Sequence, residues 1–405
     1  MDGMRTRGQP VAVAAIRAML ASGFPHAVLL TGPGGVGKTT LAIDIAAALL
    51  CRAKDGAERP CGECRECRMV EHGNHPDLHR LAPVGAGAQI SIGGRDERGV
   101  RDLVRDLAYL PVEGGMRVAI VEAAHRMTED AQSAFLKTLE EPPPRTSIIL
   151  CADDEERLMP TIRSRVARVR LGPMGPRDIE AVLVAQGVAD APTASRLARF
   201  TDGRPGHAIG YARAPEAVVI RGEIARTLLD LLDGGVTPRL SGLRDLAGRA
   251  AELTKALDAG AVAPSSAPPM RGSRGRRNGP VPPNQGPVER GADDGDPPGG
   301  ASDDVSDARP ARVPAAERRR AALALLDIWR TVLRDLGLVI AGEREAIRDQ
   351  DLVDDLVAVA TRLDLATVGE GLRRLELAGE RLEGNVSPEL VLDVLALHWA
   401  PSRAA

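Results

Sequence analysis

The segment Gly32-Pro33-Gly34-Gly35-Val36-Gly37-Lys38-Thr39 carries a complete G-x-x-x-x-G-K-[ST] pattern, with Thr40 directly after it. Residues of these types at this spacing can cradle a nucleotide triphosphate. Glycines let backbone N–H groups turn inward on phosphates, a helix N-terminus favours their charge, Lys38 can reach the outer phosphates and Thr39 can ligate magnesium. The pattern does this only between a strand and a helix. Ala27 to Leu30 is a short apolar run and Leu41 to Leu50 an alanine-rich stretch of helical length, so both neighbours are expected. Gly32, Gly34, Gly35, Val36, Gly37, Lys38, Thr39 and Thr40 are therefore the expected nucleotide-binding residues. The alternative, a glycine-rich turn that binds nothing, fits these flanks less well.

A second group of residues has metal chemistry. Cys51, Cys61, Cys64 and Cys67 form C-x9-C-x2-C-x2-C in a span that also holds Lys54, Gly56, Pro60 and Gly62, a composition of loop rather than helix. Four thiolates complete a tetrahedral zinc shell and leave no coordination position for water, so such a zinc would be structural. His72 and His75 could each replace one ligand. A redox-active C-x2-C pair and unliganded thiols are the other readings of the same residues. Cys151 stands apart and is expected to be a small buried core residue.

The elements that must position these groups come next. Val118 to Val121 reads as a buried strand ending at Glu122, where a phosphate-loop protein carries its acidic magnesium residue. Thr128 is an expected helix N-cap followed by Glu129 and Asp130. The helix runs through Ala131, Ala134, Phe135 and Leu139 until Pro142-Pro143-Pro144 stops it. Ser147 to Leu150 reads as another strand. Strands and helices alternating after a phosphate loop predict an α/β domain with a mainly parallel sheet.

Composition narrows the function classes. A chain of 405 residues predicts two or three domains, and a net charge of −3 excludes a strongly basic protein that holds nucleic acid by bulk electrostatics. Aromatic residues make up only 2 %, too few for a platform on which successive bases stack. Met1 to Pro10 lacks an apolar stretch and no later run approaches membrane-spanning length, so a cytoplasmic protein with no membrane partner is expected.

Several motifs occur in one order. Phe24-Pro25-His26, the phosphate loop, the cysteines, His75-Pro76-Asp77, Leu136-Lys137-Thr138-Leu139-Glu140-Glu141-Pro142-Pro143 and Thr161-Ile162-Arg163-Ser164-Arg165 together closely resemble the clamp-loader subunits of bacterial DNA polymerase III. The resemblance covers about residues 8 to 210. It implies an AAA+ module with a small helical lid and an all-helical collar that joins gamma/tau motor and delta subunits in a hetero-pentameric ring. It also implies a task, opening the sliding clamp and placing it on primer-template DNA, within a holoenzyme whose nucleotidyltransferase activity belongs to other subunits.

Two subunit types share these motifs, the gamma/tau motor and the stationary delta-prime. In the motor the third strand ends in Asp-Glu, the glutamate activating water; in register this chain has Glu122 and Ala123. Alanine cannot accept a proton, and losing a positioned general base costs roughly 10²- to 10⁴-fold in rate. The position implied for a polar sensor after the fourth strand holds Ala152, and Gly206 stands where the motor has a second-sensor arginine. A cradle that can bind ATP and magnesium without its hydrolytic residues resembles delta-prime, with an active motor ATPase as the alternative. Ser164 and Arg165 match the family element whose arginine reaches ATP on the neighbouring subunit, although Val166 replaces its cysteine. A solvated surface arginine or a sheet-edge salt bridge is the plainer reading of Arg165 taken alone. A zinc-dependent DNA-binding or redox protein is a third reading of the whole chain, opposed by its mild acidity and few aromatics.

The expected domains are an AAA+ module over 1–171 with the cysteine module at 51–75, a lid over 172–212, a collar over 213–257 and 315–405, and a disordered insertion over 258–314. Helical spacing recurs in Arg177 to Gln186, Ala194 to Thr201, Ala217 to Leu232, Leu240 to Leu257, Ala316 to Leu336, Asp351 to Leu363, Ala366 to Leu382 and Pro388 to His398. Trp329 and Trp399 are expected packing anchors. The insertion is rich in Pro, Gly, Ser and Asp and passes from basic (Arg271, Arg274, Arg276, Arg277) to acidic (Asp293, Asp294, Asp296, Asp303, Asp304, Asp307). Such a segment lacks the apolar content to offset its ordering entropy. Deleting Ala263 to Ala308 should therefore leave folding and assembly intact, as judged by thermal melting and co-purification; a shortened chain that no longer joins its partners would show that the segment is structural.

Overall fold

The computed structural model describes residues 3–83, 89–94, 98–113, 115–232, 234–261, 314–384 and 386–399. An N-terminal helix α1 (Pro10–Ser22) leads to β1 (Ala27–Thr31), the phosphate loop and α2 (Lys38–Leu50). Then follow α3 (Arg65–Glu71), β2 (Leu78–Leu81), α4 (Val100–Leu107), β3 (Arg117–Val121), α5 (Glu129–Glu140), β4 (Thr146–Ala152), α6 (Pro160–Arg163) and β5 (Ala167–Arg170). The sheet has the order β2-β3-β4-β1-β5 and every pairing is parallel.

Parallel strands are buried on both faces, which is why they read as unbroken apolar runs. Val28, Leu30, Val118, Ile120 and Ile149 face α1 and α2 through Ile16, Leu41 and Ile45, whereas Leu29, Ala119, Val121, Ile148 and Leu150 face α4 and α5 through Leu103, Leu107 and Phe135. The expected cap of α5 is present: Thr128 Oγ1 accepts from the Ala131 N–H at 3.2 Å. The strands β2 and β5, four residues each, are too short to stand out in the sequence. They are placed by the sheet they complete.

From residue 176 onward the described chain is helical: α7 (Pro176–Ala185), α8 (Ala191–Phe200), α9 (Pro205–Arg213), α10 (Pro215–Leu232), α11 (Val236–Ala261), α12 (Ala315–Ala341), α13 (Val353–Ala360), α14 (Leu365–Glu383) and α15 (Pro388–His398). Residues from Met174 to Trp399 contribute to one apolar cluster, so the helices expected for lid and collar share a core. Trp329 and Trp399 stack within it, 4.5 Å between ring centroids and 30° between planes. Most of the expected insertion, 262–313, lies outside the described residues. Its first residues need correcting, since α11 continues to Ala261 and Asp258 pairs with Arg320 of α12 at 2.6 Å. A helix that already buries one face extends cheaply by another turn, which composition does not reveal.

Candidate functional site

The phosphate loop sits where the topology predicts a ligand site, at the carboxyl ends of the strands. Its turn relies on glycine: Gly37 at the N-cap of α2 and Gly35 within the loop have φ of 103° and 78°, which side chains disfavour. Lys38 is buried. Its Nζ donates to the carbonyls of Gly32 and Pro33, both at 2.6 Å, and to Asp153 Oδ1 at 2.8 Å.

Two neighbouring strands deliver the remaining groups. β3 ends at Glu122, whose Oε1 accepts from Arg80 Nε at 2.9 Å and Nη2 at 2.6 Å. The acid expected to serve magnesium is thus engaged by a guanidinium from β2. Ala123 follows in left-handed conformation, φ 51°, with no side chain able to take a proton. β4 ends at the buried Ala152, and the next residue, Asp153, is the polar group that faces Lys38.

His125 holds Asp153 in place. Its Nδ1 accepts from the Asp153 N–H at 3.1 Å, so the ring proton resides on Nε2, 3.9 Å from Asp153 Oδ2. Burial lowers the His125 pKa and keeps the ring neutral near pH 7. Neither Asp153 nor the role of His125 was legible beforehand, because only the strand order puts the end of β4 beside the loop.

The opposite wall is helical. Gly206, in the first turn of α9, donates its N–H to the Gly35 carbonyl at 3.0 Å. A Cβ on Gly206 would lie 3.2 Å from that carbonyl oxygen, and one on Gly35 would lie 3.0 Å from His207. The absence of an arginine at 206 therefore has a packing counterpart: two glycines let helix and loop backbones touch. Gly34 to Thr40, Glu122, Ala123, Asp153, Gly206 and Gln186, which follows the helix at 176–185, border one cavity of about 430 Å³.

Arg165 lies elsewhere. It precedes β5, whereas the loop follows β1, and Val28 of β1 pairs with Ala167 of β5 in parallel. The two groups thus flank opposite ends of the sheet, separated by strands of about 3.3 Å per residue. Arg165 Nη2 pairs with Glu140 Oε1 at 2.7 Å, and its Nη1 donates to Thr161 O at 2.8 Å and Ser164 Oγ at 3.2 Å. The side chain remains about a third exposed.

The four cysteines converge. Sulfur separations are 3.6 Å for Cys51 and Cys61, 3.9 Å for Cys51 and Cys64, and 4.0 Å for Cys61 and Cys67, with all four atoms within 4.8 Å of one another. A tetrahedron with bonds of about 2.3 Å has edges of ~3.8 Å, so the donor set fits a zinc-sized ion. Backbone N–H groups of Glu63 and Cys64 hold the Cys61 thiol down to about 7, whereas burial pushes those of Cys51 and Cys67 up. A divalent cation would supply the charge that favours all four thiolates.

The local structure differs from the loop expected around them. Cys51 caps the C-terminus of α2, and Cys64 caps α3, on which Cys67 lies, its Sγ accepting from the Cys67 N–H at 3.4 Å. Neither histidine joins the group: His75 Nδ1 accepts from the Asp77 N–H at 3.0 Å, and the His72 ring nitrogen meets the Arg68 carbonyl at 2.6 Å. Asp77 is itself an anchor, accepting from the N–H groups of Val112 and Glu113.

Residues 8–175 match the family model described as DNA polymerase III, delta subunit. The subunit delta' of DNA polymerase III from Pseudomonas aeruginosa is 42 % identical over 140 residues, 35 % of this chain and 41 % of that protein. The matched module is similar to the delta' subunit. The delta' of Bacillus subtilis is 30 % identical over 201 residues, 50 % of this chain and 58 % of its own length. The tau subunit of Escherichia coli is 33 % identical over 183 residues, 44 % of this chain but 27 % of tau. The chain thus spans about half the length of the delta' relatives it matches. In this chain the α/β sheet, the phosphate loop and a cysteine cluster able to hold a metal are joined to a mostly helical C-terminal part. No helix among the described residues is long and apolar enough to cross a membrane.

Proposed function

We propose that this chain is a delta-prime subunit of the DNA polymerase III clamp loader: a stationary ring member that helps load the sliding clamp onto primer-template DNA and offers Arg165 to the nucleotide of a neighbouring motor subunit. The observation that carries this reading is the end of β3, where Glu122 is engaged by Arg80 and Ala123 stands in the place of a general base. The phosphate loop would hold ATP through Gly32, Gly34, Gly35, Val36, Gly37, Thr39, Thr40 and above all Lys38, with magnesium nearby, but the chain would not hydrolyse it. Zinc at Cys51, Cys61, Cys64 and Cys67 would be structural. The helical cluster from Met174 to Trp399 would serve as lid and collar, joining gamma/tau and delta subunits in a cytoplasmic hetero-pentamer.

Arg165 supports the trans role in one physical respect. Lying at the far end of the sheet from its own phosphate loop, it serves no phosphate bound there. Ser164 would steer its guanidinium, and the neighbouring Val166 carries no charge.

Steady-state ATP turnover tests the reading. The isolated chain should turn ATP over roughly 10²- to 10⁴-fold more slowly than a motor subunit with its base in place. Lys38→Ala should abolish nucleotide binding, because the phosphates lose their closest cation. Robust turnover by the lone chain, lost in Lys38→Ala, would instead identify a gamma/tau-type motor.

A further inference from the structure

We propose that Asp153 sets the nucleotide affinity of the phosphate loop by acting as an internal anion that competes with phosphate for Lys38. The inference rests on reading the loop as a phosphate cradle.

Lys38 has three N–H donors, and three acceptors take them: the Gly32 and Pro33 carbonyls and Asp153 Oδ1. Only the last carries a full charge. A phosphate that engages Lys38 must displace the carboxylate or bind beside it, and either course is opposed by like charge. The carboxylate is also close to the loop itself, since a Cβ on Gly34 would lie 3.2 Å from Asp153 Oδ2.

The placement of Asp153 is built by the fold. Ala152 pairs with Thr31 across β4 and β1, so the next residue on each strand, Asp153 and Gly32, emerges side by side. His125, buried and neutral, fixes the Asp153 backbone and adds no positive charge that would offset the carboxylate. The Asp153 side chain is about half exposed, so it contributes little to the core. Its nearest ammonium is the one that the cradle needs.

An acid at this position could instead ligate magnesium. That role predicts the opposite sign. At the effective dielectric near 20 of a protein surface, a unit charge changes phosphate affinity by roughly 10³-fold at about 4 Å and roughly tenfold at about 12 Å. If Asp153 competes, its neutralisation tightens binding. If it ligates the metal, neutralisation weakens binding of the magnesium complex.

Equilibrium titration of the full chain with a fluorescent ATP analogue, with magnesium and again with EDTA, separates these outcomes. Asp153→Asn keeps the size and the backbone bond to His125; it should bind at least roughly tenfold more tightly than the parent in both conditions. Asp153→Ala should do the same, and thermal melting would verify that both variants are folded. Measurable binding by the parent with unchanged or weaker binding by Asp153→Asn would overturn the proposal while leaving the cradle intact. No binding by the parent or by either Asp153 variant would overturn the cradle reading, and with it the competitor.

Discussion

Replacing Arg165 by alanine should leave this chain folded and able to assemble, yet lower ATP turnover at one neighbouring site by roughly 10³- to 10⁵-fold. Stability should hardly change. Arg165 and Glu140 form a pair in which both side chains are substantially exposed, at 35 % and 48 %, and such pairs contribute about 0.2–1 kcal/mol. The chemical effect is larger because a guanidinium delivered across an interface stabilises charge on the transferring phosphoryl group. Motor sites supplied with arginine by other subunits would continue, so the loss over a whole ring should be smaller unless the sites fire in a coupled sequence. Arg165→Lys should rescue poorly, since an ammonium lacks the planar fork that also meets Glu140, Thr161 and Ser164. The check is reconstitution with wild-type motor subunits, scoring ATP turnover and clamp loading together. Unchanged rates in rings that demonstrably contain Arg165→Ala would remove the trans role.

The second large effect concerns the metal. The purified protein should contain about one zinc per chain, and Cys61→Ser/Cys64→Ser should lose it. Structural zinc in small peptides supplies apparent binding energies of about 10–16 kcal/mol at neutral pH, most of it folding energy. The loss here should leave the sheet standing, because α2 also packs on it through Leu41 and Ile45 without help from the metal. The damage should spread to the loop before β3, since Arg52 and Arg65 both reach Glu113 from the cysteine module. Metal analysis, together with limited proteolysis of that segment, reads both consequences. ATP turnover in an assembled ring should fall less than local stability does. Stoichiometric zinc retained by the double variant would refute this ligand set.

Much of the site could be read before any coordinates. The phosphate loop, its flanking strand and helix, the cap at Thr128 and the four thiols are local patterns, and local patterns survive in one dimension. The cysteines converge as their spacing implied, although helix α3 carries Cys67 where a loop was expected. Short spacings between ligands are compatible with a loop or a helix turn, and the choice depends on apolar contacts such as that of Val70 with the core beneath it.

Asp153 shows what spacing leaves out. In the sequence it is one acid in the run Asp153-Asp154-Glu155-Glu156, distant from Lys38. In the fold it lies 2.8 Å from the Lys38 ammonium, because β4 inserts between β3 and β1 and ends level with the loop. Gly206 is similar: the sequence presents it as a missing arginine, whereas the structure presents it as a point of contact between two backbones. Glu122 was expected as a magnesium acid, and only the β2–β3 pairing brings Arg80 to it.

The sequence by itself determined the phosphate-loop pattern, the thiol set, the alanine at 123 and the α/β character of the module, because each depends on residue type and short-range spacing. Tertiary structure decided which charges meet. That division follows from the range of the interactions: turns, caps and strands are specified within a few residues, but an ion pair between distant segments exists only after strand order and register have brought their ends together.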